Sequence, residues 1–287
     1  MKLCRFNQNR LGVVQGDDIV DVSNVLTQLP GANYPYPSHD VLIEALERIT
    51  PLIIDSARTG ARLPLASVKL LSPVANPGKI IAAPVNYTKH LEEVLAQKQL
   101  HHGNLINEIR KAGLFLKATS SLIGAGQDVE LIHTDRRNDH EVELAVIIGR
   151  AGRNIPRQDA LSHVAGYSIG LDITIRGPEE RSLRKSADSY TVLGPWLVTA
   201  DDIPDPSNLE FSLHVDGELR QQANTHELIL GVPELIEFAS SFYTLHPGDI
   251  LITGTPQGVA PIGRGNTMHA WVQSIGDMHV RVVEAQA

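Results

Sequence analysis

The stretch His140-Glu141-Val142-Glu143-Leu144-Ala145-Val146-Ile147-Ile148-Gly149 decides how the chain is read. In a β-strand, residues two apart share a face. One face here runs Glu141, Glu143, Ala145, Ile147, and the other runs Val142, Leu144, Val146, Ile148. Apolar residues on both faces mark a strand that enters the interior. Two carboxylates entering it side by side repel each other and lose hydration. Either they stay at a wet mouth or positive charge compensates them, and a divalent cation is the simplest candidate. Taken alone, Glu-x-Glu is more often the solvated face of a strand.

Other charges are embedded in apolar sequence in the same way. Asp172 stands between Leu171 and Ile173, where a carboxylate is costly unless it is paired or ligates a metal. Glu141, Glu143 and Asp172 together form an all-oxygen set suited to Mg²⁺, Mn²⁺ or Ca²⁺. An octahedral ion held by three protein ligands keeps positions open for a substrate, which is a catalytic arrangement. Arg176 lies four residues past Asp172, within reach of a site at that strand's end. Lys117 ends the apolar run Gly113-Leu114-Phe115-Leu116. His90 and Glu93 have the spacing of an ordinary helix-surface pair. His101 and His102 read as loop residues, and Gly254-Thr255-Pro256 as turn chemistry.

Around these residues the pattern is β-rich. Leu11–Val14 and Ile19–Val22 flank Gly16-Asp17-Asp18 as a hairpin. Ser38 is a plausible N-cap for a helix carrying Leu42, Ala45, Leu46 and Ile49, which Pro51 breaks or restarts. Turn residues from Ser72 to Gly78 place a boundary there, giving a small N-terminal unit over 1–73 and a larger one over 74–287. Strands are expected near 79–84, 128–132, 142–148, 164–175, 250–253 and 280–283, with a hairpin at Asp216-Gly217. Short helices are expected over 90–99 and 105–112, and an amphipathic one from Val232 to Tyr243. No βα alternation is present, so the class is α+β, β-rich and mixed or antiparallel, rolled or barrel-like.

Bulk properties narrow the function. The 287 residues are 42% hydrophobic and 20% charged, with a formal net charge of −8. That balance, without a Lys/Arg run, argues against a nucleic-acid or anionic-membrane surface. Cys4 is the only cysteine, which excludes a disulfide framework. The N-terminus has no apolar signal region and no run reaches a membrane span, so a cytoplasmic location is expected.

Taken in order, several segments resemble the fumarylacetoacetate hydrolase family. They are Asn86-Tyr87-Thr88-Lys89-His90-Leu91-Glu92-Glu93, Phe115-Leu116-Lys117 with Ser120-Ser121, and Glu141 through Gly149. Gly166-Tyr167 through Asp172 and Arg176, Lys185-Ser186-Ala187-Asp188, Leu193-Gly194-Pro195 and Gln222-Ala223-Asn224-Thr225 follow, and Pro247 through Val259 closes the series. They span roughly residues 78–283, each weak alone and specific together. The resemblance implies a mixed β-roll catalytic domain behind a small N-terminal α/β domain, and a homodimer. It implies that Glu141, Glu143 and Asp172 hold Mg²⁺ or Mn²⁺ for a 2-oxo acid substrate. It also implies that His90 and Glu93 form a water-activating dyad and that Lys185 stabilises oxyanion charge. Arg176 and Thr255 would hold the substrate carboxylate, with Tyr87 a further contact and Lys117 at the pocket's other end.

This chain departs from the family pattern at Leu171, Gly177 and Glu179, and its 94–113 segment is long enough to suggest a larger lid. The implied activity is hydrolysis of an acylpyruvate such as maleylpyruvate or fumarylpyruvate in aromatic catabolism. The alternatives are decarboxylation of an oxaloacetate-type acid, isomerisation of a hydroxymuconate-type diacid, or ligand binding without turnover.

Overall fold

The computed structural model describes residues 1–31, 33–96 and 107–285. His101 and His102, and half of the 94–113 segment expected to form a lid, lie outside the described residues.

Val142–Ile148 is buried along its whole length and sits inside a twelve-stranded mixed sheet. It pairs antiparallel with Val164–Asp172 on one side and with Ile250–Ile252 on the other. Outward from these, Thr191–Thr199 joins Val164–Asp172 antiparallel, and Ile80–Ala82 joins Ile250–Ile252 parallel. The two faces of the central strand feed two cores. Leu144, Val146 and Ile148 pack with Phe211, Leu213 and Val280. Ala145 and Ile147 pack with Ile43, Leu46, Ile49 and Ile53 of the helix Val41–Thr59. The two-sided apolar pattern therefore has a direct cause: each face carries its own core.

The first strands do not stand apart from the rest. Lys2–Phe6 pairs with Thr191–Thr199 and begins the ribbon Lys2–Phe6, Arg10–Gln15, Asp18–Asp21, Arg62–Pro64. A second sheet of five strands runs Glu218–Asn224, Glu210–Val215, Thr267–Val272, Gly276–Glu284, Val129–Leu131. A three-stranded sheet of Thr174–Ile175, Asn138–His140 and Ala260–Ile262 lies next to the carboxylates.

Two local expectations change. The first helix is capped by Asp40, which accepts from Leu42 N and Ile43 N, and not by Ser38. It also runs through Pro51 to Thr59. The proline leaves the Glu47 carbonyl without its helical donor, but Glu47 and Pro51 are on the exposed face, where water can serve it. Buried Ile49, Ile53 and Ala57 hold the opposite face in register. The strand expected over 164–175 is two strands, separated at Ile173 as the chain passes from the large sheet to the small one. Cys4 is a core residue; burial pushes its thiol up to about 12.

Candidate metal centre and active site

Glu141 immediately precedes the central strand, Glu143 lies in it, and Asp172 ends its neighbour. The pairing Val142↔Leu171 and the bond from Asp172 N to Glu141 O (2.9 Å) place Asp172 beside the pair. One ligand atom from each carboxylate lies within 4.8 Å of the others, and all three residues are buried.

Protein cations already meet two of the three. Lys185 Nζ donates to Glu141 Oε2 (2.6 Å) and Asp172 Oδ2 (2.7 Å). Lys117 Nζ donates to Asp172 Oδ1 and to Tyr190 O. Arg176 reaches Asp139 Oδ2 through Nε (2.6 Å) and Glu141 Oε1 through Nη2 (3.4 Å). Burial alone would raise the Glu141 carboxyl, but Lys185 and Arg176 outweigh it and hold the group below its ordinary value. Glu143 differs. It accepts from Gly254 N and forms no ion pair among the described residues. Burial, then the charges of Asp172 and Glu141, push its carboxyl well above the ordinary range. A buried carboxylate in this position needs a cation, so the donor set fits a hard divalent ion: three oxygen-bearing groups, one without its own counter-charge.

The structure brings His90 and Glu93 into contact. His90 lies buried on the helix Thr88–Ala96, with Nδ1 3.1 Å from Glu93 Oε2. Glu93 also accepts from Gly258 N through Oε1 (3.0 Å). Burial would raise the Glu93 carboxyl, but the His90 and Gly258 hydrogen bonds hold it below its usual value. An ionised Glu93 only accepts, so Nδ1 carries the hydrogen, and Nε2 has no hydrogen-bond partner among the described residues.

The substrate-side residues are more varied. The Tyr87 hydroxyl is buried with no hydrogen-bond partner among the described residues, as is Gln257 Oε1. Burial and the nearby charge of Glu143 push the Tyr87 phenol well up. Thr255 Oγ1 donates to Val142 O (3.0 Å) and accepts from Gln221 Nε2 (2.8 Å), so its hydroxyl proton is already committed. Lys117 requires a correction. Its Nζ donates to Asp172 Oδ1 and Tyr190 O, which places it inside the carboxylate cluster and not at the pocket's other end. Gly177 has a local reason: a Cβ there would lie 1.7 Å from Arg136 Nη2, in the space of the Arg136–Glu179 pair. A cavity of about 640 Å³ lined by His39, Glu44, His163 and His246 touches none of the candidate catalytic residues. Gln221 was not singled out by its sequence. Its only signal is a polar side chain that shares a strand face with Ala223.

Comparison with known proteins is consistent with this arrangement. Residues 79–283 match the family described as fumarylacetoacetate (FAA) hydrolase C-terminal, and residues 1–73 match the one described as Rv2993c-like, N-terminal. A maleylpyruvate hydrolase of Aquipseudomonas alcaligenes is 59% identical over 98% of this chain and 99% of its own. The mitochondrial oxaloacetate tautomerase Fahd2a of Rattus norvegicus is 32% identical over 93% and 85%. The crystal structure of maleylpyruvate hydrolase from Sphingobium sp. SYK-6, in complex with manganese(II) and pyruvate, covers all of both chains with a TM-score of 0.85 and 41% identity.

Proposed function

The chain belongs to the fumarylacetoacetate hydrolase family, and on that premise we propose that it is a divalent-metal-dependent acylpyruvate hydrolase acting in aromatic catabolism, with maleylpyruvate as the favoured substrate. The observation that carries this reading is the buried cluster Glu141, Glu143 and Asp172 beside a His90–Glu93 dyad with a free imidazole nitrogen.

Glu141, Glu143 and Asp172 hold the ion, Mg²⁺ or Mn²⁺, with Ca²⁺ also compatible with the donor set. When bound, it supplies Lewis-acid charge to the two oxygens of a 2-oxo acid. His90 Nε2 takes a proton from the attacking water. Glu93 fixes the imidazole through Nδ1–H and stabilises its positive form. Water adds across the carbon–carbon bond, yielding a carboxylic acid and pyruvate. Lys185 presents positive charge where oxyanion charge develops. Arg176, Thr255 and Tyr87 contact the substrate, Thr255 through its backbone N–H. Lys117 neutralises Asp172.

The dyad ranks water attack above decarboxylation of an oxaloacetate-type acid or isomerisation of a hydroxymuconate-type diacid, neither of which needs it. We further propose a cytoplasmic homodimer divided into units 1–73 and 74–287. The family resemblance supports the dimer, and the two family matches, which meet near residue 75, support the division. The test is a panel of acylpyruvates, oxaloacetate and hydroxymuconates with products identified. Pyruvate and maleate from maleylpyruvate are expected, and turnover confined to oxaloacetate or hydroxymuconates would overturn the assignment.

A further inference from the structure

Gln221 is buried on the edge strand Glu218–Asn224, opposite Leu213, and no step above uses it. Every polar atom of its amide is engaged. Oε1 accepts from Val142 N (3.1 Å) and from His140 Nδ1 (3.0 Å). Nε2 donates to Thr255 Oγ1 (2.8 Å) and to Pro256 O (3.0 Å). The amide can face only one way, because Val142 N–H can only donate and Pro256 C=O can only accept. One side chain thus fastens the backbone between Glu141 and Glu143 to the loop that follows Ile250–Ile252.

That loop connects the parts of the site. Gly254 N donates to Glu143, Thr255 Oγ1 donates to Val142 O, and Gly258 N donates to Glu93. It also lies directly on the Gln221 strand: Gly258 has φ +93°, and a Cβ there would sit 2.1 Å from Arg220 O. A displaced loop would therefore move a bond to a metal-ligand carboxylate and a bond to the dyad together. We propose that Gln221 is a positioning residue that keeps the carboxylate cluster and the His90–Glu93 dyad aligned through the Gly254–Gly258 loop. The proposal rests on the metal-hydrolase reading above. It differs from a merely structural role, in which losing the amide would lower stability but leave each folded molecule fully active.

Gln221→Glu separates the two. It keeps the acceptor toward Val142 and His140 and puts an oxygen where the donor toward Thr255 and Pro256 was. Mn²⁺ affinity and kcat are each expected to fall about 10- to 100-fold, as for other groups that orient metal ligands. The circular dichroism spectrum of the Mn²⁺-loaded enzyme should not change. Gln222→Met, on the exposed face of the same strand, should alter neither quantity. Wild-type affinity and kcat in folded Gln221→Glu would overturn the proposal, as would losses that simply track the unfolded fraction. Gln221→Met, which removes the acceptor as well as the donor, serves if the glutamate variant does not fold. Mn²⁺ affinity is read by calorimetry without substrate. A wild-type protein that binds Mn²⁺ but hydrolyses no acylpyruvate would sink the functional reading while leaving this comparison decisive.

Discussion

Two strands of this molecule carry charged or polar residues two apart, and they solve the same problem in opposite ways. On Gly276–Glu284, Asp277, His279 and Arg281 are exposed while Met278, Val280 and Val282 are buried. That strand has one wet face, and its Arg281 pairs with Asp128 in solvent. Glu141 and Glu143 have the same spacing, but the strand they enter has no wet face. Lys117, Lys185 and Arg176 converge on that site because the carboxylates lost their water. Spacing alone does not separate a solvated face from a metal site; the residues that continue the face do.

The largest expected effect follows from removing what the buried carboxylates are built to hold. Chelation with EDTA should abolish turnover and Mn²⁺ should restore it, and full activity without any divalent ion would erase the contrast between the strands. Asp172→Asn should lower kcat/KM by at least about 10²-fold, because the loss of a ligand exceeds that of its supports. Asp277→Asn on the exposed strand should leave activity unchanged and shift stability by no more than about 0.5 kcal/mol.

His90→Ala comes next. Removing the base should lower kcat by about 10²- to 10⁴-fold. Binding of oxalate, a mimic of the pyruvate end, should survive in the Mn²⁺-loaded variant, since the imidazole is not a proposed ligand. Calorimetry with oxalate and a stopped assay on maleylpyruvate check the two halves, and normal hydrolysis by the variant would remove the dyad from the mechanism.

A third comparison concerns the ion pairs themselves. Lys117→Met removes one partner of a buried pair and should cost about 3–5 kcal/mol of stability in the metal-free protein. The cost should shrink in saturating Mn²⁺, because the ion then faces Asp172. Arg281→Ala breaks the exposed pair with Asp128 and should cost about 0–1 kcal/mol whether or not metal is present. Chemical denaturation with and without Mn²⁺ gives all four values, and equal costs at the two sites would show that burial does not decide them.

These contrasts also explain what was legible in the sequence. Glu141, Glu143 and Asp172 could be picked out because each interrupts apolar sequence, and burial of polar groups leaves that trace. His90 and Glu93 carry no such trace; a helical i, i+3 pair looks the same on any surface, and only the ordered family segments singled it out. The position of Lys117 was misread because a buried lysine announces itself in sequence but its partner does not: Asp172 is 55 residues away. Pro51 misled for a related reason, since the proline rule is local and the packing of Ile49, Ile53 and Ala57 is not. Gln221 left almost no signal, because its four partners come from segments about 35 to 80 residues distant.

The smallest expected effect comes from Glu143. Its carboxyl is pushed well above the ordinary range by burial and by its two acidic neighbours, so the metal-free site holds a proton there at pH values where exposed carboxyls do not. A metal ion binds the carboxylate form and must displace that proton. The sign follows: apparent Mn²⁺ affinity rises with pH while Glu143 is protonated in the free protein and levels off once it is ionised. The slope is at most about tenfold per pH unit for one proton. Titration calorimetry in two buffers of different ionisation enthalpy should detect proton release on Mn²⁺ binding. Glu143→Gln should release none, and Asp277→Asn should release as much as the wild type. A wild-type Mn²⁺ affinity that is flat across this range would mean that Glu143 is already ionised without the ion, and that Lys117, Lys185 and Arg176 compensate the whole cluster.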